Sequence, residues 1–196
     1  MDYLVYIMMC IFLIIGVYQF YFWTQNHAKK SPRSLETSLD RKFKLKPKWT
    51  WVYSGLYYPV IILIIFSVND MREFNYTAMS FFFLLFMQMA FFYFYPVATP
   101  ASWRENIQGD RYSVGLLKLV HSFDKSSNCF PSMHVSVATL TALHLMNNSP
   151  QLGAWPLSFP ILIGLSALYT KQHYIADLLP GAALGWMAFQ VYGFVY

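Results

Sequence analysis

Six long apolar segments alternate with polar connections along this chain of 196 residues, and that alternation constrains the fold more than any other feature. A helix needs about 17–25 mainly apolar residues to cross the hydrocarbon layer of a membrane. Only 12% of the residues are charged, against about 25% in a soluble domain. The sequence therefore predicts an all-α fold, a six-transmembrane-helix bundle that forms a single integral membrane domain over residues 1–196. The predicted spans are 3–23, 51–68, 78–95, 132–146, 155–170 and 174–195.

The connection over residues 24–49 is strongly basic. Only Glu36 and Asp40 oppose its positive charges, so we predict that it lies in solvent or against lipid headgroups. Its basic residues are Lys29, Lys30, Arg33, Arg41, Lys42, Lys44, Lys46 and Lys48. In a six-span bundle the first, third and fifth connections share one side, and they hold every Lys and Arg except Arg72. The positive-inside rule places that side in the cytoplasm.

The connection over residues 96–131 is long for a small membrane protein, and long connections tend to be functional. Within it, Leu116, Leu119, Val120 and Phe123 recur at helical spacing. This spacing predicts a short helix that lies on the membrane interface.

Pro131, Ser132, Met133 and His134 stand at the predicted start of the fourth span. Proline suits the first turn of a helix. A helix start holds anions because its unpaired N–H groups and its dipole point outward. Ser132 adds a hydroxyl and His134 adds a titratable imidazole, so the pattern predicts an anion site.

His173 and Asp177 stand at the start of the sixth span and are four residues apart, so they share one helix face. A carboxylate there can fix the tautomer of the imidazole and stabilise its cation. Both helix starts, together with Arg104 after the third span, lie on one side of a six-span bundle. Their side chains supply the nucleophile, proton donor and charge stabilisers that phosphoryl transfer requires.

The motifs Pro-Ser-Met-His at 131–134 and His-x-x-x-Asp at 173–177 resemble the second and third motifs of the type 2 phosphatidic acid phosphatase (PAP2) superfamily. The resemblance covers about residues 95–185 and implies a helical core shared with vanadium haloperoxidases. Met133 stands where the superfamily usually has glycine. This variant, like residues 169–177, is similar to inositol phosphorylceramide synthases and related lipid phosphotransferases.

Two parts of the superfamily pattern differ in this chain. The first motif, Lys-x6-Arg-Pro, is absent as such, and residues 95–100 followed by Arg104 occupy its place. The third motif normally has an arginine six residues before its histidine, where this chain has Ala167. Lys171 is the cation that would replace it.

The resemblance implies a role for each candidate residue. His173 would attack phosphorus and form a phosphohistidine, while Asp177 holds its ring. His134 would protonate the departing lipid alkoxide and then activate water or an acceptor alcohol. The groups that would hold the phosphate oxygens are Ser132, the backbone N–H groups around Met133, Arg104 and Lys171. The scheme needs no metal and no cofactor.

The leading hypothesis is a membrane phosphatase that acts on a lipid phosphate monoester or diphosphate, without a nucleic-acid partner or an obligate protein partner. A phosphotransferase that moves a headgroup between lipids would use the same residues. Alternatively, His134, His173 and Asp177 could bind a transition metal in a carrier, or the chain could be an inactive scaffold. Superfamily precedent favours an extracytoplasmic or luminal active site, whereas the charge distribution favours the cytoplasmic side.

Overall fold

The computed structural model describes residues 3–124 and 126–196, which are 75% helical and contain no β-strand. This confirms the predicted all-α fold. Residues 1, 2 and 125 lie outside the described part of the domain predicted over 1–196. The α-helices are α1 (Tyr3–His27), α2 (Tyr57–Leu63), α3 (Met71–Phe94), α4 (Arg111–Phe123), α5 (Met133–Asn148), α6 (Ser158–Tyr169) and α7 (Ile175–Val195).

Four helical segments are long and apolar enough to cross a membrane: Tyr3–His27, Pro47–Phe66, Met71–Phe94 and Ile175–Val195. These correspond to the first, second, third and sixth predicted spans, so the protein is a membrane protein. The fourth and fifth predicted spans are shorter. They correspond to α5, with 16 residues, and to the apolar segment Trp155–Tyr169.

Helix α5 is the central helix of the bundle, which explains its polar composition. It packs against α3, α6 and α7. Its side chains Ser136, Thr139, Thr141 and His144 are buried. The Ser136 hydroxyl, for example, accepts a hydrogen bond from Gln88 of α3 at 2.8 Å. A helix enclosed by protein can carry polar groups because its neighbours, rather than lipid, satisfy them.

Glycines of α7 allow it to pack closely against α5. A Cβ atom at Gly181 would lie 2.6 Å from the carbonyl oxygen of Ser132. A Cβ atom at Gly185 would lie 2.3 Å from the carbonyl oxygen of Ser136. The two backbones therefore meet without intervening side chains, as small residues permit in membrane bundles. This contact fixes the spacing between the N-terminal ends of α5 and α7.

Helix α3 begins earlier than its predicted span of 78–95. It starts at Met71, where the Asp70 side chain accepts a hydrogen bond from the Glu73 N–H at 2.8 Å. The prediction followed the apolar run, and the first turns of α3 carry polar residues that the run excludes. The predicted short helix is confirmed as α4, which has Leu117 buried and Phe123 exposed, and its position on the membrane interface stays a prediction.

The basic segment over residues 24–49 is anchored to the bundle through its backbone and Asp40. The N–H of Lys46 donates to the carbonyl oxygen of Tyr169 at 2.9 Å. The Asp40 carboxylate is buried and accepts from the N–H of Ile175, at the start of α7, at 2.8 Å. All eight basic side chains are exposed, as predicted. The segment is nevertheless fixed to the bundle, because Asp40 serves as a cap for α7.

Candidate active site

His134 and His173 meet at one end of the bundle. His134 lies in the first turn of α5, and His173 lies two residues before α7. Their ring centroids are 5.8 Å apart, and the ring planes are inclined by 63°. Helix parity predicted that these two helix starts would lie on the same side. The close α5–α7 contact explains why the rings also meet.

The ring of His173 is held through its Nδ1 atom. Nδ1 lies 2.9 Å from the backbone carbonyl oxygen of Cys129 and 3.3 Å from Oδ2 of Asp177. Because a carbonyl oxygen only accepts hydrogen bonds, Nδ1 carries the proton and Nε2 keeps its lone pair. The side chain is only 4% exposed. This orientation is the one that the predicted nucleophilic role of His173 needs. The carboxylate contact was predicted, whereas the Cys129 carbonyl has no side-chain signature in a sequence.

Asp177 links the two motifs. Its Oδ2 atom accepts from the N–H of Tyr174 at 2.8 Å, and its backbone carbonyl accepts from the N–H of Ser132 at 3.0 Å. Its Oδ1 atom is buried and has no partner among the described residues. The same residue therefore orients His173, caps α7 and joins the starts of α5 and α7.

His134 is enclosed by two tyrosines from the second span. The hydroxyl of Tyr53 lies 3.0 Å from Nδ1 of His134. The ring centroids of Tyr53 and Tyr57 lie 4.3 Å and 4.9 Å from that of His134. Neither tyrosine was identified from the sequence, because an aromatic residue in an apolar run gives no signal of a functional contact.

The start of α5 has the features of an anion site. The Ser132 hydroxyl is the N-cap and accepts from the N–H of Val135 at 3.3 Å. The next N–H, of Ser136, bonds to the Ser132 carbonyl at 3.0 Å. The N–H groups of Met133 and His134 have no acceptor among the described residues. Such unpaired donors at a helix start suit phosphate oxygens.

Arg104 is linked to the histidine pair by a hydrogen bond to Gln172, the residue before His173. One guanidinium nitrogen of Arg104 donates to Oε1 of Gln172 at 2.8 Å, and another donates to the carbonyl of Asp124. Nε of Arg104 and Nε2 of Gln172 are buried and lack acceptors within the described ranges. Unsatisfied buried donors of this kind are suited to an anion. Sequence reasoning identified Arg104 and missed Gln172.

Lys171 is held away from solvent by the basic segment. Its ammonium donates to the carbonyl of Asp40 at 3.0 Å and lies 4.1 Å from the ring centroid of Trp103. Burial lowers the pKa of Lys171, although the nearby carboxylates of Asp40 and Glu36 oppose the shift. Its predicted phosphate contact stays a prediction, and its observed partners show a structural role.

Three potential metal-ligand atoms, one each from Cys129, His173 and Asp177, lie within 4.8 Å of one another. This set differs from the metal site of His134, His173 and Asp177 considered above. The Cys129 thiol donates to the carbonyl of Ser126 at 2.9 Å, and burial raises its pKa well above the usual value. A thiol that stays protonated is a poor metal ligand.

An apolar cavity of about 440 Å³ opens next to His134. It lies between α1, the second span, α3 and the start of α5, and it extends past Phe22 to Cys10 and Phe74. From Phe22 to Cys10 along α1 the rise is about 18 Å, at 1.5 Å per residue. One leaflet of a bilayer core is about 15 Å thick, half of about 30 Å. The residues of α1 that line the cavity therefore span about the depth of one leaflet.

The other candidate histidines lie away from this pair. His144 is fully buried in α5, with Nε2 2.9 Å from the hydroxyl of Ser80. His121 of α4 lies 3.0 Å from the carbonyl of Thr170 through Nε2. Both rings are thus held by groups of the fold outside the histidine pair.

Comparison with known proteins supports the assignment that the motifs suggested. The catalytic subunit of inositol phosphorylceramide synthase from Saccharomyces cerevisiae is 30% identical over 80 residues. That similarity covers 39% of this chain and 20% of the yeast protein, so the chain matches only a fifth of its relative. No solved structure matches the chain. The sequence matches the PAP2 superfamily over residues 30–191. The chain therefore belongs to the PAP2 superfamily, a family of lipid phosphatases and phosphotransferases.

Proposed function

We propose that the protein is a lipid phosphate phosphatase that works through a phosphohistidine at His173. The observation that carries this proposal is the pair of imidazoles with ring centroids 5.8 Å apart. Each ring is held through its Nδ1 atom. Both Nε2 atoms are thereby left for chemistry, one as a nucleophile and one as a proton donor.

In the first step, Nε2 of His173 attacks phosphorus and the bond from phosphorus to the lipid oxygen breaks. The electron pair of that bond moves to the leaving oxygen, which takes the Nε2 proton of His134. Asp177 stabilises the positive charge that develops on His173. The N–H groups at the start of α5 and the Arg104 side chain hold the phosphate oxygens.

In the second step, water gives a proton to Nε2 of His134 while its oxygen attacks phosphorus. The phosphorus–nitrogen bond breaks, and its electron pair returns to Nε2 of His173. Phosphate leaves, and both histidines return to their starting protonation states. No metal ion takes part in this scheme.

The apolar cavity supports a lipid as the substrate. It adjoins His134, and its wall is almost entirely apolar. A hydrocarbon chain can pass from the membrane into such a cavity without being exposed to water. A lipid phosphate that places a chain in the cavity would have its phosphate at the histidine pair.

A phosphotransferase is the second candidate, because the yeast relative is named as a synthase subunit and Met133 is the variant typical of such enzymes. In that reaction an acceptor alcohol replaces water in the second step. The same phosphohistidine and the same proton transfer through His134 would serve both reactions.

The test uses purified protein in detergent, a panel of lipid phosphates and a chelator. We expect wild-type protein to release phosphate, and His173→Ala and His134→Ala to release about 100-fold less or lower still. His27→Ala, which changes an exposed histidine of α1, is the matched control and should behave as wild type. Loss of activity with the chelator would contradict the metal-free scheme.

Paired donor and acceptor lipids separate hydrolysis from transfer. Transfer without release of phosphate would replace the phosphatase proposal by the phosphotransferase. If folded protein catalysed neither hydrolysis nor transfer with any lipid of the panel, both the phosphatase and the phosphotransferase proposals would be rejected.

A further inference from the structure

Tyr53 lies in an unusual part of the second span. Residues Trp51–Leu56 form a π-helical turn between the 3₁₀ turn Pro47–Trp49 and α2. Turns of this kind are rare and occur frequently at functional sites. Tyr53 is the buried residue of this turn, only 3% exposed.

The side chain of Tyr53 makes two contacts with His134. Its hydroxyl lies 3.0 Å from Nδ1, and its ring lies against the imidazole with centroids 4.3 Å apart. The two residues are 81 positions apart in the chain, so the contact depends on the tertiary fold. The ring contact limits the tilt of the imidazole, and the hydrogen bond limits its rotation.

We propose that Tyr53 is a positioning residue that keeps the acid–base proton of His134 on Nε2. This inference rests on the proposed function. The Tyr53 hydroxyl oxygen accepts the Nδ1 proton of His134 throughout the cycle. Nε2 is then the atom that gives a proton to the leaving oxygen and regains one from water.

The proton count of the proposed reaction requires such an acceptor. For the step that protonates the leaving oxygen, His134 must be an imidazolium, with protons on both nitrogens. After Nε2 has protonated the leaving oxygen, the neutral ring keeps its remaining proton on Nδ1, bonded to Tyr53. If that proton moved to Nε2, no lone pair there could accept a proton from water. The Tyr53 oxygen opposes this move because it stabilises the Nδ1–H tautomer.

The two histidines are thus anchored by different chemistry. Asp177 is a carboxylate that stabilises a charged His173 ring, as a ring that carries a phosphoryl group requires. Tyr53 offers a neutral oxygen to His134. A neutral partner fixes direction without holding the positive charge, which suits a residue that must both give and take a proton.

The first test compares substrates that differ in their need for a general acid. Tyr53→Phe keeps the ring contact and removes the hydroxyl. With a short-chain phosphatidic acid, whose alkoxide must be protonated, we expect kcat to fall about 10- to 100-fold, a part of the roughly 100- to 10,000-fold that a general acid contributes. With p-nitrophenyl phosphate, whose leaving group needs no proton, the fall should stay within about 3-fold. KM should change little for either substrate.

Tyr6→Phe is the matched control, because Tyr6 is a buried tyrosine of α1 outside the site. It should match wild type on both substrates. An equal loss on both substrates in Tyr53→Phe would indicate a structural role and overturn the proposal. Unchanged rates on both would overturn it as well.

A second test does not depend on activity. Nitrogen-15 NMR of histidine-labelled protein distinguishes protonated from unprotonated ring nitrogens, and His134→Gln identifies the His134 signals. Neutral His134 should carry its proton on Nδ1 in wild type and lose that preference in Tyr53→Phe. An unchanged tautomer would reject the inference even if no substrate is found. Failure of the proposed function would instead appear as activity that survives His134→Gln and His173→Ala.

Discussion

The backbone carbonyl of Cys129 and the carboxylate of Asp177 both lie within hydrogen-bond distance of Nδ1 of His173, at 2.9 Å and 3.3 Å. The carbonyl is the nearer acceptor, and a change of side chain cannot remove it. The group that sets the tautomer of His173 is therefore different from the group that stabilises its charge. The carbonyl fixes the tautomer, and the carboxylate stabilises the positive charge.

This separation predicts an intermediate phenotype for Asp177→Asn. The variant should keep the tautomer of His173 and lose the negative charge, so kcat should fall about 10- to 1,000-fold, less than the roughly 10,000-fold seen where tautomer control is lost. A base-stable, acid-labile phosphoenzyme should still form. Trapping with labelled substrate measures it, and His173→Ala provides the zero level. Absence of the phosphoenzyme in Asp177→Asn would show that the carbonyl is insufficient.

The close α5–α7 contact predicts that Gly185→Ala destabilises the bundle. Its Cβ would lie 2.3 Å from the Ser136 carbonyl, and overpacking of this kind costs about 1–3 kcal/mol. The unfolding midpoint should fall by about 2–4 °C for each kcal/mol. Gly193→Ala, in the same helix with nothing within 4 Å, is the control and should be neutral or stabilising. Equal unfolding midpoints for the two variants would contradict this prediction, because they would mean that α5 and α7 can move apart at little cost.

His121 predicts a pH dependence of stability. Burial, with a smaller contribution from Arg104, lowers its pKa from 6.5 to about 4. Between pH 6.5 and about pH 4, the His121 imidazole therefore binds a proton in the unfolded chain but not in the folded protein. Stability from this residue is complete above pH 6.5 and is lost as the pH falls towards 4. Thermal unfolding between pH 7 and 4 should be less pH-dependent in His121→Gln, and identical slopes would contradict the shift.

The cavity predicts selectivity for chain length. Ala78 lines it on α3, so Ala78→Phe should shorten the space for a lipid chain. Activity on a long-chain lipid phosphate should fall relative to that on a short-chain one, by about tenfold for each 1.4 kcal/mol of lost chain burial. Ala154→Phe, at an exposed position, should leave the ratio unchanged. If Ala78→Phe left the ratio of long-chain to short-chain activity unchanged, the lipid chain would bind outside this cavity.

The sequence was sufficient to predict the residues of the histidine pair but not the groups that orient them. His134, His173 and Asp177 were predicted because a short motif, an i to i+4 spacing and helix parity can all be read from the sequence. Tyr53 and the Cys129 carbonyl were not, since one is an aromatic residue in an apolar run and the other is backbone. Both depend on how distant segments pack.

The basic segment shows a second reason for incomplete prediction. Its exposed charges dominate the local composition, and they correctly predicted solvent contact. Asp40, a single acid among them, was counted only as an opposing charge. Its role as a cap of α7 depends on its burial against Ile175, and composition alone does not reveal burial.

The α5–α7 contact has a consequence for how enzymes of this architecture can diverge. The separation of the two histidines is set where two backbones touch, at Gly181 and Gly185, on helices that contribute little to the apolar cavity. The cavity wall comes mainly from α1, the second span and α3. Evolution or a designer can therefore exchange residues of the outer helices to accept a different lipid, while the reacting atoms keep their spacing.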